Sequence, residues 1–188
     1  MMKYLSKIVL TLCLLMTLNA KASTILVPMD ESQKNHLKAY GVAYSVLDRD
    51  VVIEWLLNYR GGSFLMPHLP TIEDELIIKG VSYKILPDVK VKAIKSQIAD
   101  PEINQEIVQL ETPPKIAVYT PSGKQPWDDA VTLVLTYAEI PYEEVYDSAV
   151  VMGELPEYDW LHLHHEDFTG QYGKFYRSYH HFPWYQQQ

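Results

Sequence analysis

Apolar positions recur along this chain in two spacings, every second residue and every third or fourth, and the switches between them predict alternating strands and helices. Residues 24–27 read as a short strand, after which Asp30 and Ser32 are placed to cap a helix carrying Leu37, Tyr40, Tyr44 and Leu47 at helical spacing. Residues 51–59 form a strand with Val51, Ile53, Trp55 and Leu57 on one face and Glu54 and Asn58 on the other, a partly covered face. Arg60-Gly61-Gly62-Ser63 turns the chain into Phe64-Leu65-Met66, which makes a hairpin. Thr71 and Asp74 resemble a capping pair for the next helix, and Gly80 stands where a helix end favours a left-handed residue. Residues 81–86 follow as a strand, and Pro87 opens a helix that ends before Asp100-Pro101.

A polar, proline-bearing stretch over residues 100–114 reads as a linker to a second α/β piece. There the strand at residues 115–119 runs into the loop TPSGKQ, and Pro126 starts a helix with Trp127, Ala130, Val131, Val134, Leu135 and Ala138 on one side. Pro141 stops it. Residues 142–146, 148–155 and 159–164 give a strand, a short crossover helix and a third strand, an order that implies parallel pairing with right-handed crossovers. The pattern as a whole predicts an α/β protein with a doubly wound, mostly parallel sheet, and three parallel strands are few enough to suggest the front part of a longer polypeptide.

The N-terminus changes how the rest is read. Lys3 and Lys7 precede the apolar run Ile8 to Leu18, and Ala20-Lys21-Ala22 is a small-x-small cleavage site, so residues 1–22 read as a secretory signal peptide. The division expected is therefore 1–22 signal peptide, 23–110 N-terminal α/β region and 111–188 second α/β domain, with the mature chain periplasmic or secreted after cleavage near Ala22. Removing three lysines and no acid shifts the formal charge from −8 to −11, which disfavours nucleic acid and anionic lipid as partners. No later segment is long and apolar enough for stable membrane insertion. Cys13 is the only cysteine, so cleavage leaves a chain without thiol nucleophiles, disulfides or zinc–thiolate sites.

In a doubly wound sheet, ligands sit at the carboxyl ends of the strands. The third strand of the second piece delivers His164, His165, Glu166 and Asp167 there, and Gln171 and Tyr172 follow in a glycine-bearing segment, which makes these six the ligand-binding candidates. His162 and His164 share one strand face and are the candidate metal ligands for a divalent cation, the one cofactor this pattern suggests. The competing reading has the histidines hydrogen-bonding nearby loops and the acids capping a helix. Ser122-Gly123-Lys124 lacks the flanking residues of a phosphate loop, and no G-x-G-x-x-G or G-x-S-x-G occurs. Asp128 and Asp129 in the following first turn already complement that helix end. Catalytic residues are not identifiable from these motifs.

The segments LVPMDESQKNHLKAYG, WLLNYRGGSFL, PPKIAVYTPSGKQPWDDAVTLVLTYAEIPY and YDWLHLHHEDFTGQYGKFY resemble an exported bacterial family commonly labelled asparagine synthetase B. The resemblance implies a class I glutamine amidotransferase-like, flavodoxin-like fold in longer chains. It implies glutamine-dependent asparagine synthetase or amidotransferase activity, with a hydrolase or a periplasmic metal- or small-ligand-binding module as rivals. This chain departs from the label's chemistry: Met2 follows Met1, processing exposes Ser23, and neither an N-terminal cysteine nor an ATP-pyrophosphatase loop is present. The expectation is an amidotransferase-like fold without complete catalytic machinery.

Overall fold

The computed structural model describes residues 23–120, 130–163 and 168–187. The chain divides into two compact units, one running through Pro113 and including Tyr137–Ile140, the other made of Pro114–Thr136 and Pro141–Gln188.

In the first unit, β1 (Ser23–Val27), α1 (His36–Leu47), β2 (Ile53–Leu57), β3 (Ser63–Pro67), α2 (Pro70–Ile78), β4 (Lys84–Pro87), α3 (Asp88–Ile98) and β5 (Glu106–Leu110) follow one another. The strands form one sheet in the order β4-β1-β3-β2-β5, and every pairing is antiparallel. The β-α-β-β-α-β run in the order 4-1-3-2 is the ferredoxin-like, split-βαβ arrangement, extended here by β5 beside β2. The expected doubly wound parallel sheet is therefore corrected for this unit. A strand–helix–strand pattern leaves room for an antiparallel strand between the two it joins, and β3 takes that place between β1 and β2.

Both faces of the sheet are covered, which is why its strands alternate between two sets of apolar contacts. Ile25, Val27, Ile53, Phe64 and Met66 pack against Ala39, Val42, Ala43 and Val46 of α1 and Ile72 and Leu76 of α2. On the opposite face Leu26, Leu56 and Leu65 meet Ile98, Val91 and Ile94 of α3. Glu54, on that face, pairs with Lys95 at 2.6 Å.

Local details correct the sequence reading at several points. Asn35 caps α1, its side chain accepting from the Lys38 N–H at 3.2 Å. Asp30 instead receives two hydrogen bonds from Arg60, at 2.6 and 3.2 Å. Helix α2 starts at Pro70 with Leu69 as N-cap and no side-chain cap bond, so Thr71 and Asp74 are not its capping pair. Gly80 has φ of +66°, the left-handed conformation expected of it. The stretch read as linker contains β5, at the edge of the sheet, with Glu106 and Gln109 exposed and Ile107, Val108 and Leu110 half-buried.

The hairpin between β2 and β3 is as expected, with Trp55 opposite Phe64. Its turn holds Asn58, Arg60, Gly61 and Gly62 at positive φ. A Cβ on Gly61 would overlap the Met29 carbonyl, so that close approach requires glycine.

The second unit contains β6 (Ile116–Tyr119), β7 (Glu143–Val145), α5 (Asp147–Met152), a 3₁₀ turn at Leu155–Glu157, β8 (Trp160–Leu163), α6 (Phe168–Tyr179) and α7 (Pro183–Gln186). Helix α4 (Ala130–Ala138) begins in this unit, and its last residues count with the first. The sheet order is β7-β6-β8 with both pairings parallel, as the strand–helix alternation predicts. Among the described residues, one core cluster joins Ala117, Val145 and Ala149, with Tyr119, Leu155, Tyr158 and Leu161 against them, and Ile116, Val118 and Leu135 are buried as well. Among the described residues, no helix is long and apolar enough to cross a membrane.

Candidate functional site

β6 is the central strand of the parallel sheet, and its two neighbours are reached in opposite directions, first β7 on one side and then β8 on the other. In open parallel sheets, ligands bind at the carboxyl ends of the strands beside such a reversal of order. The pairs Tyr119–Val145 and Tyr119–Leu163 bring the three carboxyl ends to one level.

Thr120, the first residue past β6, is 4 % exposed. Its N–H donates to the Val145 carbonyl at 2.9 Å, while its Oγ1 is buried with no hydrogen-bond partner. A buried hydroxyl left unpaired costs about 1–3 kcal/mol, so it marks a position where packing alone does not account for the residue. Beside it, the Tyr119 hydroxyl donates to Asp147 Oδ1 at 2.5 Å, and the Tyr119 ring lies 5.6 Å from that of Tyr146. These groups end or follow β6 and β7 and place two phenol rings, a carboxylate and an unpaired hydroxyl at this end of the sheet.

The amino ends of the same strands have no such loose group among those described. The Lys115 N–H donates to Asp159 Oδ2 at 2.8 Å, and the Lys115 carbonyl accepts from the Asp159 N–H at 2.9 Å, tying the entry of β6 to that of β8. Lys115 Nζ sits 4.6 Å over the Tyr158 ring. The Tyr158 hydroxyl donates to Glu143 at 2.7 Å, and this bond to a carboxylate, helped by burial, pushes the phenol up to about 12. The amino end reads as a structural seam and the carboxyl end as a place for chemistry.

The residues singled out from sequence fall unevenly on this frame. His162 lies on β8 opposite Val118, half-buried, with its ring 6.4 Å from that of Trp160. His164, His165, Glu166 and Asp167, and residues 121–129, lie outside the described residues. Gln171 and Tyr172 fall within α6, with side chains outside the described set. Among the described residues, no group of three or more His, Asp or Glu side chains could hold a metal ion. Thr120 escaped the sequence reading because a threonine after a strand is unremarkable; only the burial of its hydroxyl distinguishes it.

Comparison with protein-family models, curated proteins and solved structures finds no match to this chain.

Proposed function

We propose that this is an exported protein whose second unit is the opening half of a flavodoxin-like, class I amidotransferase-like sheet, and that it binds a small polar ligand at the carboxyl ends of β6 and β8. The observation that carries this reading is the buried, unpaired hydroxyl of Thr120 at the point where the strand order reverses. It is supported by the sequence that continues from the two strands, Pro-Ser-Gly-Lys-Gln after Thr120 and His-His-Glu-Asp after Leu163, both rich in hydrogen-bonding groups. The resemblance to amidotransferases makes an amide-bearing amino acid, glutamine first, the ligand class to try.

Binding without amide transfer is the activity assigned. With residues 1–22 removed the chain contains no cysteine, so the thiol of an amidotransferase is not supplied by it. Ligand-detected NMR of the mature protein should report glutamine binding that Thr120→Val weakens at least tenfold, with no ammonia released. Saturation by glutamine that Thr120→Val leaves untouched, or steady glutamine-dependent ammonia production, contradicts the proposal. Mass spectrometry of protein recovered from the cell envelope should find its first residue at or near Ser23; a retained Met1 contradicts the export part.

A further inference from the structure

Away from the parallel sheet, four side chains of the first unit form a continuous hydrogen-bonded line. Ser23 Oγ, at the start of β1, lies 2.7 Å from His68 Nδ1. His68 Nε2 lies 2.7 Å from Glu73 Oε2. The Tyr83 hydroxyl donates to the other Glu73 oxygen, Oε1, at 2.8 Å. The His68 backbone N–H also donates to the Ser23 carbonyl at 3.2 Å, which fixes the two residues relative to each other.

The partners decide the tautomer. An ionised carboxylate only accepts, and the bonds from His68 and Tyr83 hold Glu73 below the ordinary carboxylate range, so Nε2 of a neutral His68 carries the proton and donates it to Glu73. Nδ1 is then the bare nitrogen, and it faces the Ser23 hydroxyl. Hydroxyl, imidazole base and orienting carboxylate stand in the order that activates a serine, with the two ring nitrogens exchanged relative to the serine-protease arrangement. The line is reachable from solvent, because Ser23 is half-buried and the His68 and Glu73 side chains keep 25 % and 27 % of their exposure.

We propose that Ser23 and His68 are catalytic residues of a hydrolytic site for carboxylic esters with small apolar acyl groups, with Glu73 as the positioning residue. The acyl preference follows from the surroundings: Pro67 and the exposed Leu69 flank His68 in the chain, and Pro87 stands opposite Ser23 on the edge strand β4. Ser23 Oγ bonds to the ester carbonyl carbon as its proton passes to His68 Nδ1, and Glu73 steadies the imidazolium through Nε2–H. The carbon–oxygen bond to the alcohol then breaks, and the departing alkoxide takes the Nδ1 proton. Water enters by the same route, its proton going to Nδ1 and its oxygen to the acyl carbon; the bond from that carbon to Ser23 Oγ then breaks, Oγ takes the Nδ1 proton, and the acid leaves. The site is independent of the ligand site proposed in the second unit and needs no metal or further reactant.

The test is to treat the mature protein with a fluorophosphonate probe, map the adduct by peptide mass spectrometry, and follow p-nitrophenyl acetate hydrolysis. The adduct should sit on Ser23 Oγ, and Ser23→Ala should abolish both signals while the circular dichroism spectrum stays native. His68→Gln should lower the rate about 100-fold or more, the range of a general base. Glu73→Gln should lower kcat with KM unchanged, and Glu73→Asp should recover part of it, a rescue that a purely structural carboxylate would not give to the rate. If His68→Gln fails to fold, the site of the wild-type adduct decides alone. A folded protein with no adduct at Ser23, or hydrolysis that survives Ser23→Ala, overturns the proposal and leaves the line as a clamp between β1 and α2.

Discussion

The two units spend their residues differently. The first covers both faces of a five-stranded antiparallel sheet and holds most of the large, fully buried side chains: Ile25, Ile53, Leu56, Met66, Ile72 and Leu76 among them. Among the described residues the second contributes only Val118 to that group and exposes Val150, Val151, Met152 and Trp160. Its polar groups are disposed unequally as well, satisfied at the amino ends of the strands and left with an orphaned hydroxyl at the carboxyl ends. In the first unit the buried Gln33 is fully used, donating to the Pro28 and Ser82 carbonyls and accepting from the Asn35 and Ser82 N–H groups, whereas Gln105 Oε1 is buried there without a partner. Among the described residues each unit thus carries one buried unpaired atom, and the one at Thr120 stands apart because it sits at the carboxyl end of the central parallel strand.

The contrast can be broken in order of expected size. Leu76→Ala should cost about 2–5 kcal/mol in urea unfolding, because Leu76 has no exposure and its removal opens a cavity under α2. Val118→Ala should cost less, about 1–3 kcal/mol; equal costs would erase the difference between the two cores.

Gly61→Ala should destabilise by about 1–3 kcal/mol, since the residue has φ of +80° and its Cβ would meet the Met29 carbonyl. A neutral result would mean that the hairpin turn is free to move.

Thr120→Val should raise stability without ligand by about 1 kcal/mol, as a methyl group replaces an unpaired buried hydroxyl. Destabilisation would show that the hydroxyl has a structural partner.

The smallest effect is present at neutral pH and lost in acid. Hydrogen bonds from Arg60 and Ser32 hold the Asp30 carboxyl well below its ordinary range. A lowered folded-state pKa contributes stability that is present above the unfolded value of about 3.9 and lost as pH falls through the folded one. Wild type should therefore exceed Asp30→Asn in stability at neutral pH, with the gap closing below about pH 4. A gap constant down to strongly acid pH would remove the Arg60 pairing from the account.

Much of the local structure was legible in the sequence, because β6, β7 and β8 and their crossovers are marked by apolar runs bounded by prolines and polar loops. The antiparallel sheet was not, since strand–helix–strand spacing is the same whether or not a third strand inserts between the two. β5 was missed because an edge strand needs few apolar residues, and Glu106, Val108 and Gln109 gave no clean alternation. Asn35 took the cap of α1 from Asp30 because Arg60, 30 residues away in sequence, engages that carboxylate. The Ser23–His68–Glu73 line has the same character: the partners are 45 and 5 residues apart, and only the pairing of β1 with β3 brings the first two together.

The central claim, that ligand chemistry belongs to the carboxyl ends of the parallel strands, is tested most directly by backbone NMR of the mature protein titrated with glutamine. The account predicts saturable shifts of the Tyr119, Thr120, Asp147 and Leu163 amides, lost in Thr120→Val, with Lys115 and Asp159 unmoved. Shifts centred on Lys115, Glu143 and Asp159, or none anywhere on the sheet, would contradict it.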